Sequence, residues 1–159
     1  MGPSCSGKST LAEALVKQLG NSWVLVSFDT LEDQLGRAVG AEAIFISMIN
    51  EINMLLRNAK NVVVDTNTFY LSHCSSLSSA CINYILMATS LEVLFERDAI
   101  RAKRLCRAPK RALWAREFVE KSFHRFHSDE IMALKPHIID TSRVSPDEAV
   151  VQAVTVIGK

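Results

Sequence analysis

No run of this sequence is long and apolar enough to cross a bilayer, and nothing at its start reads as a signal peptide. The longest mixed stretch, 41–56, is interrupted by Glu42, Ser47, Asn50, Glu51 and Asn53. Cysteine is sparse: Cys5, Cys74, Cys81 and Cys106 form no C-x-x-C pair and no zinc spacing. Reduced, mostly structural thiols in a cytoplasmic protein are the expectation. Excess charge is missing too. The 159 residues carry 18 Lys and Arg against 17 Asp and Glu, so the total names no partner. Internal repeats and disordered linkers are absent, and the length suits a single domain, 1–159, with a sizeable core. The last thing lacking is a strand in front of the first motif, which only Met1 precedes.

That motif organises the chain. Gly2, Pro3, Ser4, Cys5, Ser6, Gly7, Lys8 and Ser9 satisfy G-x-x-x-x-G-K-[ST], the phosphate-binding loop signature. Glycines let the backbone curl until successive N–H groups face phosphate oxygens. Lys8 adds a mobile positive charge between the β and γ phosphates of ATP, and the Ser9 hydroxyl suits Mg²⁺. From Thr10 the spacing of Leu11, Leu15 and Leu19 predicts a helix whose N-terminus faces the anion. Cys5 is either a thiol activated by loop N–H groups or a small loop residue.

Such loops normally follow a strand inside a parallel sheet, and its loss would leave backbone groups unpaired beside the nucleotide. Three readings stand. The chain is truncated or begins at an internal methionine, another strand closes the gap, or the motif is accidental. Eight matched positions followed by a helix argue against accident, and truncation is the expectation.

Residues 23–28 read as a strand covered on both faces and ending at Asp29. In open α/β sheets that edge holds ligands. Residues 30–40 are ambiguous: Leu31 and Leu35 make a short helical face that Gly36 and Gly40 interrupt, and the segment is either one that moves over a substrate or an ordinary surface loop, the loop being favoured. Residues 41–58 form a helix, with Met48 and Met54 as core filler. The run 61–65 is a second strand ending in an acid. Asp65 either holds Mg²⁺ through water or caps the strand. A pocket-lining loop (66–70), a weak helix (72–80) and a strand (81–87) follow.

Ser90 caps a helix over Leu91–Arg104, with Leu91, Leu94 and Phe95 inward. Pro109 restarts a helix that runs to 135, with Leu113, Phe123 and Phe126 as apolar contacts. Arg97, Arg101, Lys103, Arg104, Arg107, Lys110 and Arg111 form a basic run, either a solvated face or a polyphosphate clamp. His124 and His127 lie three apart, a weak metal pattern. Residues 137–141 are a last strand, and Ser145, Pro146 and Glu148 make a capping box for the final helix.

Phosphoryl transfer needs cations over the moving group and a carboxylate that takes the acceptor proton. These residues supply both. The nucleotide lies on residues 2–10, Asp29 is the general base, Lys8 and the lid residues Arg101 and Arg104 carry positive charge, and Arg97 is an anchor. Ser9 and Asp65 are the metal residues. The expected acceptor is a hydroxyl of a small molecule. Nucleic acid is not expected, because the basic residues lack interleaved aromatics on a sheet face. The other class left open is a nucleotide-binding or interaction module without transfer.

The chain resembles the chloramphenicol phosphotransferase-like group of small P-loop kinases. The likeness lies in residues 2–10, Phe28-Asp29-Thr30-Leu31, Leu91–Arg104 and residues 140–148. It implies an α/β P-loop NTPase fold: a three-layer sandwich with a mainly parallel sheet, here without its first strand. It also implies ATP on the loop, an aspartate matching Asp29 on the acceptor hydroxyl, and arginines after Glu96-Arg97, namely Arg101 and Arg104, closing over the phosphates. Ala102-Lys103 departs from the glycine–acid pair expected between those arginines, and no family substrate motif precedes Pro136.

Overall fold

The structure is a computed structural model that describes residues 1–66, 76–77 and 81–158. The loop expected at 67–70 lies outside the described residues. So do Cys74 and all of the helix expected at 72–80 except Ser76 and Leu77. The chain divides into two compact units, one of Met1–Lys8 with Asn83–Lys159, the other of Ser9–Ile82.

In the second unit, α1 (Lys8–Leu19) buries Leu11, Ala12 and Leu15, the stripe set by its leucine spacing. It ends at Gly20, whose φ of +84° favours glycine. Strands β1 (Trp23–Ser27) and β2 (Asn61–Asp65) pair in parallel, from Trp23 opposite Asn61 to Ser27 opposite Asp65. Between them lie α2 (Phe28–Leu35), a short 3₁₀ turn (Arg37–Val39) and α3 (Ala41–Arg57). Val26, Phe28, Leu31, Ile44, Phe45, Met48 and Ile52 form one core cluster. Burying these side chains contributes on the order of 1.5–3 kcal/mol each relative to leaving them exposed.

Three expectations change here. The loop favoured at 30–40 begins as a helix, because Phe28 and Leu31 both drop into the core, Phe28 against Phe45 at 4.9 Å. Gly36 closes that helix, giving its N–H to the Glu32 carbonyl at 2.9 Å. Met54 is 54% exposed whereas Met48 is buried. Six residues on, about 240° round the helix, Met54 points away from the cluster. The strand runs are also less covered than their apolar character predicts. Val64 on β2 is 38% exposed, as each ladder among the described residues has only two strands.

In the first unit, β3 (Ile85–Ala88) and β4 (His137–Asp140) pair in parallel, Ile85 opposite His137 and Ala88 opposite Asp140. β3 starts four residues later than its sequence suggests. Its partner has Pro136 before His137, and a residue without an N–H cannot extend the ladder. Met1 lies against the edge of β3. Its amino group donates to the Ile85 carbonyl at 2.8 Å, and the Met87 N–H donates to the Met1 carbonyl at 2.9 Å.

Three helices and a short turn of helix complete the unit: α4 (Leu91–Arg104), α5 (Pro109–Phe126), α6 (Asp129–Met132) and α7 (Pro146–Ile157). Helix α4 packs on α5, and α7 on β4. Ser90 caps α4, accepting from the Val93 N–H at 3.4 Å, and Pro109 takes the first turn of α5. The Ser145–Glu148 capping box forms in both directions. Leu113 is 61% exposed and makes no core contact of the kind its apolar character suggests, whereas Phe126 is fully buried. Among the described residues no helix is long and apolar enough to cross a membrane.

Candidate functional site

The loop from Gly2 to Lys8 is shaped by residues that lie far from it in sequence. Gly2 is buried with φ +153°. A Cβ there would stand 2.7 Å from the Met87 carbonyl oxygen and 2.9 Å from Ser6 Oγ, so only glycine fits. Gly7 has φ +94°, and a Cβ there would meet nothing within 4 Å. The loop therefore opens outward at Gly7 and closes inward at Gly2. Cys5 holds φ +68°, a conformation that costs a non-glycine residue about 1–3 kcal/mol and persists only when its surroundings enforce it.

Those surroundings are α4, α5 and the end of β4. Thr141 Oγ1 lies 3.0 Å from the Ser6 carbonyl and 3.2 Å from the Ala88 carbonyl, with Thr89 Oγ1 in close contact. Arg97 donates to the Thr141 carbonyl at 2.7 Å and to Thr141 Oγ1 at 3.1 Å. It reaches the Cys5 and Ser6 carbonyls at 3.4 and 3.5 Å, the outer limit of hydrogen bonding. A trans peptide points its carbonyl and its N–H in opposite directions. Holding the Ser6 carbonyl on this network turns the Gly7 N–H to the open side, where an anion would sit. Ser122 of α5 accepts the Ser4 N–H at 3.0 Å. Lys8 Nζ donates back to the Pro3 carbonyl at 3.3 Å, which keeps the ammonium over its own loop.

Under the network lies a buried ion pair. Asp98, 6% exposed, accepts from Arg107 at 2.8 Å, and the Cys5 thiol lies 3.9 Å from the same carboxylate oxygen. Of the basic run, Arg97 and Arg107 thus turn inward as structural anchors. Arg101, Lys103, Arg104, Lys110 and Arg111 are exposed.

The two acids belong to the second unit, at the same edge of its sheet. Asp65 ends β2 opposite Ser27 and is buried, whereas Asp29 lies two residues beyond Ser27 in the first turn of α2 and is exposed. Ser9 and Thr10, in the first turn of α1, are exposed. Among the described residues no three His, Cys, Asp or Glu side chains gather as a metal centre. His127 Nδ1 lies 2.8 Å from the Phe123 carbonyl, and both histidine rings pack on Phe123.

An anion fits this construction. The loop has outward room at Gly7, a lysine over it, an exposed hydroxyl at Ser9, and a helix of twelve residues starting at Lys8. Among the described residues Ser6 Oγ is buried without a hydrogen-bond partner, beside Gly2. Sequence reasoning missed Asp98, Arg107, Thr141 and Ser122 as shapers of the loop. Only the position of Thr141, just past a strand end, hinted at such a role.

A family model described as an AAA domain matches residues 1–148. Among solved structures, the chain is similar to a gluconokinase from Sinorhizobium meliloti 1021, with 18% identity and a TM-score of 0.64 over 99% of this chain and 89% of that one. It is similar to a protein assigned as a kinase from Chloroflexus aurantiacus j-10-fl, with 17% identity and a TM-score of 0.67 over 98% and 91%. It is also similar to a chain of the Pnkp1/Rnl/Hen1 RNA repair complex, with 25% identity and a TM-score of 0.53 over 79% of this chain and 44% of that one. No curated protein sequence matches it. The α/β fold with parallel strands is that of P-loop kinases.

Proposed function

The chain belongs to this AAA-domain family, and on that premise we propose that it is an ATP-dependent phosphotransferase acting on a hydroxyl of a small molecule. We read 1–159 as one kinase-like domain working in the cytoplasm. One observation carries the reading: a phosphate-loop backbone whose Ser6 carbonyl is tied down by Thr141 at 3.0 Å while Gly7 stays open. A loop with no anion to bind would not need that arrangement.

ATP would lie on Gly2, Pro3, Ser4, Cys5, Ser6, Gly7, Lys8, Ser9 and Thr10, with the loop N–H groups and Lys8 on its phosphates. Ser9 and Asp65 are the residues that would hold Mg²⁺, which would supply positive charge to the phosphates. Arg101 and Arg104, exposed at the end of α4, are the lid cations that shield the moving group from water. Asp29 accepts the acceptor's proton, since an exposed carboxylate in the first turn of α2, just past the end of β1, can take it and pass it to solvent. The acceptor oxygen bonds to the γ phosphorus, the bond to the β–γ bridging oxygen breaks, and ADP leaves with that electron pair. The narrower likeness to chloramphenicol phosphotransferase-like kinases rests on the sequence stretches that carry it.

Titration with ATP·Mg²⁺ followed by an acceptor-dependent ADP assay tests this. Saturable binding and turnover that needs an acceptor are expected, with Asp29→Asn lowering kcat at least a hundredfold. Binding without acceptor-dependent turnover would replace the reading with a nucleotide-binding module.

A further inference from the structure

We infer that the acceptor is a nucleotide. Its base rests on the Trp114–Phe118 stack of α5, its existing phosphate meets Lys110 and Arg111, and a sugar hydroxyl is presented to the phosphate loop. The inference rests on the phosphotransfer reading and names its acceptor class.

Trp114 and Phe118 are 62% and 40% exposed, and their rings stack at 5.6 Å with planes 16° apart. By contrast, Phe95 in the same unit is capped by the Arg116 guanidinium at 4.0 Å. A preformed aromatic stack left open to water is a ready surface for a planar ring, because every nucleobase has a π face.

Its place on α5 ties it to the loop. Ser122 accepts the Ser4 N–H, and Phe118, Trp114 and Arg111 precede Ser122 by four, eight and eleven residues along one stripe. The helical rise puts Phe118 about 6 Å and Trp114 about 12 Å from Ser122. Lys110 and Arg111 follow at the exposed start of the helix. The acids of α5, Glu117 and Glu120, fall on other sides of it.

Charge supports the same occupant. Residues 97–125 hold ten of the chain's 18 Lys and Arg and three of its 17 Asp and Glu. A neutral sugar or polyol could lie on the rings but would leave the cations without an anion. The order loop, rings, cations also sets polarity. The ligand's phosphate lies farthest from the loop, so a hydroxyl receives the γ-phosphoryl group and the existing phosphate does not. That hydroxyl oxygen forms the new bond to phosphorus, its proton passes to the base, and ADP departs.

The test uses the full chain carrying Trp23→Phe, which leaves Trp114 as the sole tryptophan. Nucleoside 3′-monophosphates should quench its fluorescence saturably and stimulate ADP release. In the otherwise unaltered chain, Trp114→Ala and Trp114→Leu should each raise the nucleotide KM about ten- to hundredfold with the ATP dissociation constant unchanged. The double change Lys110→Ala with Arg111→Ala should raise the nucleotide KM and flatten its salt dependence. ATP binding without quenching, or turnover driven by a sugar acid whose KM ignores Trp114→Leu, overturns the inference. So does a 5′-hydroxyl oligonucleotide preferred over mononucleotides by more than a hundredfold, which moves the acceptor to a strand end. Dimers in light scattering that Trp114→Leu dissociates would make the stack a seam between copies and also overturn it. Absence of ATP binding sinks the phosphotransfer reading instead.

Discussion

Removing Arg107 should do more damage than removing both members of its pair. The side chains of Arg107 and Asp98 are 14% and 8% exposed and meet at 2.8 Å. At that distance an effective dielectric constant near 20 gives a gross attraction of about 6 kcal/mol. Desolvation of two ions offsets roughly half of it, which leaves a cost of about 3 kcal/mol when one partner is lost and the other stays charged and buried. Arg107→Leu strands Asp98 in this way, with the Cys5 thiol 3.9 Å from its carboxylate oxygen. With a urea m-value of about 2 kcal/mol/M, the unfolding midpoint should fall by about 1.5 M. The double change Arg107→Leu with Asp98→Asn removes both charges and should recover most of that loss, so the cycle should show a coupling of about 2 kcal/mol. If Arg107→Leu alone costs less than about 0.5 kcal/mol, or the two losses simply add, the pair is not the buried support of the loop described here.

Other outcomes follow from the same contacts. Gly2→Ala would place a methyl 2.7 Å from the Met87 carbonyl oxygen, so calorimetry should show a loss of about 2 kcal/mol or more. Thr141→Val removes the hydroxyl that reaches the Ser6 carbonyl and should weaken ATP binding about tenfold, whereas Thr141→Ser should retain it; equal affinities would separate Thr141 from the loop. Ser142 Oγ and N–H, then Arg143, hold the Asp140 carboxyl below its ordinary range, and the Ser145 N–H and hydroxyl do the same for Glu148. Both acids therefore bind a proton more readily unfolded than folded. Their stabilisation should be full above about pH 5 and should be lost as pH falls through the folded values. Denaturation from pH 6 to pH 3 should show that loss shrinking in Asp140→Asn with Glu148→Gln, and parallel curves would refute it.

Much of the local structure is legible in sequence because its causes lie within one turn. The capping box at Ser145, the Ser90 cap, Pro109 at a helix start and the β-branched run of β2 each form where spacing places them. The phosphate-loop motif is equally local, and its glycines adopt the backbone that the motif requires. Where two local signals competed, sequence was less reliable. Gly36 and Gly40 suggested a loop over 30–40, yet burial of Phe28 and Leu31 drew the first half into α2.

Sequence alone thus determined the phosphate-loop motif, the order of β–α units and the concentration of cations after Glu96, since each is written in neighbouring residues. It did not determine what holds those cations. The reading of Arg97 as an anchor names no partner for it, since none is written in its neighbours on the helix. Thr141, 44 residues away from Arg97, supplied that partner by meeting its guanidinium at 2.7 Å and 3.1 Å. Asp98 did the same for Arg107, and Ser122 brought the exposed Trp114–Phe118 stripe into line with the loop. Side-chain direction on a helix is fixed by what packs against it, and that partner is known only once the strands and helices of the unit have come together.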